Sequence, residues 1–189
     1  MNSFENQSRI FRFFSLAFAY PNQAFLPQLN KALEAVHGFK IELEALPPAF
    51  EKEETVRLQA EYTRLFINGY PTTPCAPYES VYREKRMLGK SSMEVQERYQ
   101  EWGMTVDASL MDHLATEFEF MAFLCSAATL EETKADAKAA LQTFLSEHAQ
   151  KWIPQFAADL QANAKVQAYQ LLGEILGKTV SNISVESLS

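Results

Sequence analysis

"LMDHLATEFEFMAFLCSAAT", residues 110–129, is the stretch whose reading decides the fold. Leu114, Phe118, Met121 and Cys125 recur at three- and four-residue intervals, the period of one helix face. No other helical segment of the chain is as apolar, so it belongs in the centre of a helical protein. Ser109 is the expected N-cap of this helix.

The same period extends in both directions. Toward the N-terminus, a helix is expected over 3–19, with Phe4, Ile10, Phe11, Phe14 and Phe18 on one broad face and Tyr20-Pro21 ending it. A second carries Leu26, Leu29, Leu33 and Val36 and stops at Gly38. Pro47-Pro48 should break a short helical piece, and an acidic start at Glu51, Glu53 and Glu54 opens a helix over about 50–66. A helix from Glu79 to Leu88 should end at Gly89. Ser91-x-x-Glu94 then reads as a capping box for a helix bearing Met93, Val95, Tyr99 and Trp102, stopped by Gly103. Toward the C-terminus, Thr129-x-x-Glu132 should open a helix reaching Trp152, Pro154 suits a helix start, and Tyr169, Leu172, Ile175 and Leu176 mark the last helix. With no strand pair and no internal repeat, the expectation is one all-α domain over 1–189. The segment from Leu88 to Ser109 is a candidate hinge for a domain-swapped dimer, and the sequence leaves monomer or homodimer open.

Composition narrows function by exclusion. Six glycines in 189 residues, with 47% hydrophobic and 22% charged residues, suit a helical globular chain. A net charge of −7 argues against nucleic acid, whose phosphates need a basic face. Cys75 and Cys125 stand far apart with no CxxC, which gives neither a zinc pattern nor a disulfide framework. Arg9 and Arg12 precede "FFSLAFA", but Glu5 and the shortness of the apolar run favour an amphipathic first helix over a signal peptide, and so a cytoplasmic protein. No GxSxG, GxGxxG or phosphate-cradling loop is present.

One segment departs from the helical pattern. In "YTRLFINGYPTTPCAPYESVYREKRMLGKSS", residues 62–92, Pro71, Pro74 and Pro77 fall close together, bracketed by Phe66, Tyr70, Tyr78 and Tyr82. Prolines stiffen such a strap and hold its aromatics at low entropic cost. Tyr62, Leu65, Phe66 and Tyr70 either seal the core or form a lip for an amphipathic peptide. Cys75 is either a reactive thiol or an inert small residue between prolines. Asp112 and His113, adjacent in sequence, cannot form a dyad if both are helical. Asp112 suits a helix N-terminus as a dipole-complementing carboxylate. His113 and Glu117 stand at the i, i+4 spacing of two metal ligands, without the second pair that a di-iron bundle needs. A small-ligand binder or enzyme using His113 and Glu117 is the alternative function.

These residues also carry a family resemblance. Tyr62-Thr63-Arg64-Leu65-Phe66 resembles the aromatic-x-x-Leu-Phe signature of the TorD/DmsD/NarJ chaperones. The strap ending in Pro77-Tyr78-Glu79-Ser80 is similar to their central loop. Asp112-His113 followed by Leu114 to Phe118 resembles their Asp-His signature, and "FLSEHAQKWIPQF" (144–156) their C-terminal helix pair. Leu110 stands where the family often has Pro. The likeness runs from about 5 to 180. It implies an all-helical, non-enzymatic cytoplasmic chaperone, with no cofactor of its own, for a molybdopterin-dependent oxidoreductase. The implied partners are the client's catalytic subunit and its twin-arginine leader. On this resemblance Tyr62, Leu65, Phe66, Tyr70, Pro77, Tyr78, Asp112 and His113 are the candidate client-binding residues.

Overall fold

The computed structural model describes residues 3–37 and 40–183, and helices account for nearly all of its regular structure. Among the described residues there is no strand, only one isolated antiparallel bridge between Tyr78 and His113. Eleven α-helices follow in order: α1 (Ser3–Ala17), α2 (Phe25–Ala35), α3 (Lys40–Leu43), α4 (Leu46–Glu51), α5 (Thr55–Tyr62), α6 (Glu79–Glu84), α7 (Lys90–Glu101), α8 (Leu114–Ala127), α9 (Lys134–Phe144), α10 (Gln150–Asn163) and α11 (Gln167–Asn182). Two π-helical turns, Thr63–Ile67 and Leu145–Ala149, extend α5 and join α9 to α10. No helix among the described residues is long and apolar enough to cross a membrane.

The core forms where the apolar stripes converge. Helix α8 is apolar on nearly all sides, as a central helix must be, and it buries Leu114, Phe118, Met121 and Cys125 among others. Phe11 and Phe14 of α1 meet Phe118 with ring centroids 5.9 and 5.4 Å apart. Ser8 donates its hydroxyl to the Ala122 carbonyl at 2.8 Å, which satisfies a polar group inside this contact. Helices α10 and α11 approach closely at Gly173, where an added Cβ would lie 2.8 Å from the Ala157 carbonyl oxygen.

Several boundaries differ from the sequence reading, each for a local reason. Pro47-Pro48 start α4 instead of breaking a helix, because a missing N–H costs nothing in the first turn. Phe50 therefore belongs to α4, and extended backbone at Glu54 separates it from α5. Helix α1 ends at Ala17 and α2 at Ala35; Gly38, the expected stop of α2, lies outside the described residues. Helix α6 stops at Glu84 because Lys85 turns left-handed (φ 60°), and Gly89 caps the next helix instead of ending this one. Ser91 is not an N-cap. The Glu84 carboxylate accepts the N–H groups of Lys90 and Ser91 at 2.6 and 2.9 Å, doing across the turn what a capping box does locally.

Pro154 lies inside α10. The partner of its missing N–H would be Gln150, the first residue after the π turn, so the forgone bond falls where the hydrogen-bond register already changes. Helix α9 begins at Lys134, later than the expected Thr129. Gly103 does adopt the left-handed conformation (φ 70°) just beyond α7.

Candidate functional site

The strap between α5 and α6 begins on a sealed base. The Tyr62 hydroxyl donates to the Phe18 carbonyl at 3.0 Å, and its ring meets Tyr20 and Phe66 at 5.3 and 4.9 Å. Phe66 also packs on Phe18, Phe156 and Tyr169, and Leu65 is fully buried. Of their two readings, core seal or peptide lip, all three side chains fall in the core. Leu65 and Phe66, at i+3 and i+4 from Tyr62, continue the buried stripe of Leu58 and Tyr62 into the π turn.

From the last residue of the π turn the chain runs out into solvent. Ile67 is 61% exposed and Tyr70 99% exposed. Gly69 permits the bend: a Cβ there would sit 2.7 Å from the Arg64 and Thr72 carbonyl oxygens and from the Pro74 ring. The Tyr70–Pro71 peptide bond is cis. The chain then returns, with the Cys75 N–H donating to the Leu65 carbonyl at 2.9 Å. Cys75 is fully buried, and burial pushes its thiol up to about 12, so it is not the reactive nucleophile that was one of its two readings.

Asp112 and His113 hold the far end. The Leu114 N–H donates to the Pro77 carbonyl at 2.9 Å, and the Glu79 N–H to the Asp112 carbonyl at 3.0 Å. The Asp112 carboxylate accepts the Ser80 N–H at 2.7 Å, at the N-terminus of α6. His113 is extended (φ −77°, ψ 136°), and its Nδ1 accepts the Ala115 N–H at 3.2 Å, capping α8. Adjacent residues thus cap two different helices, since successive side chains of extended backbone point apart. Ser109, the expected cap of α8, sits in a 3₁₀ turn and bonds to Asp107. The Tyr78 and His113 rings meet edge-on at 5.1 Å, while Pro77 is buried behind them. Burial lowers His113 from 6.5 to about 4, with Asp112 opposing the shift.

Sequence reasoning missed what lies beneath. Glu79, fully buried, pairs with Arg83 and with His148, whose Nδ1 stands 3.0 and 3.1 Å from its two oxygens. Glu117, also fully buried, accepts the Trp152 Nε1–H at 3.1 Å. Burial, reinforced by the Glu79 charge, holds the Glu117 carboxyl well above the usual carboxylate range, in its neutral form. The side chains of His113 and Glu117 therefore take separate partners, which undoes the i, i+4 ligand pair. The signal for Glu117 was its position within the most apolar helix. His148 gave none, because its partner is 69 residues away.

The comparisons with known proteins agree with this architecture. A sequence model of the nitrate reductase delta subunit family matches residues 17–158. Chaperone protein TorD of Vibrio cholerae serotype O1 is 33% identical over 113 residues, 56% of this chain and 51% of TorD, so the chain spans about half the length of that relative. The chlorate reductase assembly chaperone protein of Ideonella dechloratans is 32% identical over 141 residues, 70% of each chain. The crystal structure of a redox enzyme maturation protein from Archaeoglobus fulgidus superimposes with a TM-score of 0.70 at 25% identity, covering 93% of this chain and 94% of that one. These relatives are named as chaperones and as assembly or maturation proteins. With an all-helical fold and a family model matched across most of its length, the chain belongs to the nitrate reductase delta subunit family, the family of TorD-like redox enzyme maturation chaperones.

Proposed function

We propose that this protein is a cytoplasmic assembly chaperone for a molybdopterin-dependent oxidoreductase. It holds the client's twin-arginine leader, its apo catalytic subunit, or both, until the cofactor is inserted. Kinship with chaperones named for reductases supports the general role. The observation that carries the site is the strap itself: a stiff loop with an almost fully exposed tyrosine, anchored at both ends by buried contacts. A soluble protein gains nothing in stability from an exposed Tyr70, whereas a binding lip needs such a group.

In this reading the eight candidate residues divide by role. Tyr70, with Ile67 beside it, touches the apolar part of the client, and Tyr78 and His113 wall the strap's far end. Tyr62, Leu65, Phe66 and Pro77 set the strap's height above the core. Asp112, only 1% exposed, is a positioning residue that acts through the α6 N-terminus and does not contact a client arginine.

The test is a calorimetric titration of the full chain with a twin-arginine leader peptide, its Lys-Lys version and a scrambled one. The native leader should bind better than the scramble, since only an intact apolar stretch can lie along Tyr70 and Ile67. Tyr70→Ala should weaken it about tenfold or more, as expected for losing one buried aromatic contact of roughly 1.5–3 kcal/mol. In a double-mutant cycle, Asp112→Asn against Arg→Lys in the peptide should couple by almost nothing. Equal affinity for leader and scramble would remove the leader from the proposal, and an unchanged Tyr70→Ala protein would remove the lip.

A further inference from the structure

The N-terminal arginines remain without a role in client binding at the strap. Arg9, Arg12 and Leu16 lie along one face of α1, and Gln28, Lys31, Ala32 and Ala35 along one face of α2. Both sets follow the three- and four-residue spacing of a helix stripe. Between them runs a groove of about 290 Å³, lined by these seven residues, with Leu16 and the two alanines as its apolar surface. A second cleft lined by Arg12, Ser15, Leu16 and Glu119 shares Arg12 and Leu16 with it.

The charge of this groove is opposite to that of the molecule. Arg9 is held in place by Glu5 and by the Ala35 carbonyl. Arg12 and Lys31 are exposed, and neither is seen in an ion pair or hydrogen bond with a described residue. Glu34, the acidic residue of α2, is exposed, and Glu119 accepts the Ser15 hydroxyl at 3.2 Å. Within a chain of net charge −7, the groove therefore presents cations along an apolar trough.

We propose that the α1–α2 groove is the docking surface for an acidic amphipathic helix of a protein partner. Two parallel stripes with small residues between them form the trough into which a third helix lays its apolar ridge. Arg12 and Lys31 then face carboxylates flanking that ridge. A twin-arginine leader is the wrong occupant, because its charge matches that of the rim. A membrane is also disfavoured: interfacial anchoring needs large apolar side chains that protrude, and here the alanines recede. The site is thus independent of the strap and of the leader.

The test uses the full chain and a fluorescein-labelled helical peptide of leucines at one face flanked by glutamates. Controls are the same peptide with lysines for the glutamates, and vesicles of phosphatidylglycerol or of phosphatidylcholine. The glutamate peptide should bind saturably at low salt, and the lysine peptide at least about tenfold more weakly. High salt should weaken the complex, as exposed charges are screened. The double variant Arg12→Glu/Lys31→Glu should lose about tenfold or more in affinity while keeping the wild-type melting temperature, since both side chains are exposed. Ala35→Trp fills the trough without changing charge and should also lose about tenfold. Equal binding of both peptides, undiminished binding by either variant, or binding to phosphatidylglycerol vesicles without saturable peptide binding would each overturn the proposal.

Discussion

The tip and the root of the strap are built on opposite principles. At the tip, Ile67 and Tyr70 project into solvent, and Gly69 and a proline on either side of the Thr pair fix the backbone without packing. At the root, Cys75, Pro77, Glu79 and Ser80 are buried, and Asp112 and His113 supply hydrogen bonds to two helix ends. The difference teaches how one loop can be both rigid and available. A surface aromatic is useful for binding only if its position is held, and the holding contacts must be out of reach of the ligand. Mutations at the root should therefore act on stability first, and those at the tip on binding alone.

The sharpest way to break that comparison is Glu79→Ala. Its carboxylate pairs with Arg83, about a third exposed, and with the buried His148 beneath the root, and leaving a buried hydrogen-bonding group unpaired costs about 1–3 kcal/mol. Urea unfolding should show a loss of that order. A loss below about 1 kcal/mol would mean that the root does not depend on this pair.

A pH titration sharpens it next. Because burial lowers His113 from 6.5 to about 4, the unfolded chain binds a proton there that the folded chain refuses in this window. Stability from this residue is therefore present above about pH 6.5 and lost as pH falls toward 4, by about 1–2 kcal/mol once partial exposure is allowed for. Glu117 has the opposite sign: held neutral in the fold, it weakens stability as pH rises above its ordinary 4.5. His113→Asn should flatten the acid side of the stability curve and leave the alkaline side unchanged. An acid side identical to that of wild type would show that His113 titrates normally. Since His113 stays neutral above about pH 5, the change in client affinity between pH 6 and 7 that an ordinary His would give is not expected from it.

The smallest effects set the limits of the comparison. Asp112→Asn retains an oxygen for the Ser80 N–H but loses the charge at the helix end, so it should cost about 1 kcal/mol. Tyr70→Ala should change the melting curve by no more than the roughly 0.5 kcal/mol typical of surface substitutions. A Tyr70→Ala protein destabilised more than Asp112→Asn would invert the assignment of tip and root.

Much of this was legible in the sequence. A helix buried on nearly all sides announced itself at 110–129, because the 3.6-residue period and the length of the apolar stretch are local properties. The strap was legible for the same reason: three prolines and a glycine constrain backbone wherever they occur. Asp112-His113 was visible as a motif, but its work was not. Which helix end an Asp caps depends on what packs against it, and Ser80 is 32 residues away. The Leu65-Phe66 pair, at i+3 and i+4 from Tyr62, was legible as one helix stripe, but whether that stripe seals the core or floors a groove depends on what packs against it, and Phe18, Phe156 and Tyr169 are distant in sequence.

The sequence by itself determined the helical class, the placement of a stiff aromatic loop and the kinship to assembly chaperones, since each rests on short-range pattern or on motif order. Only the tertiary structure decided which aromatics face solvent, that Glu79 meets His148 across 69 residues, and that α1 and α2 leave a basic-rimmed trough between them. The physical reason is common to all three. Burial, ion pairing and grooves are properties of surfaces brought together by packing, and no local period encodes which surfaces will meet.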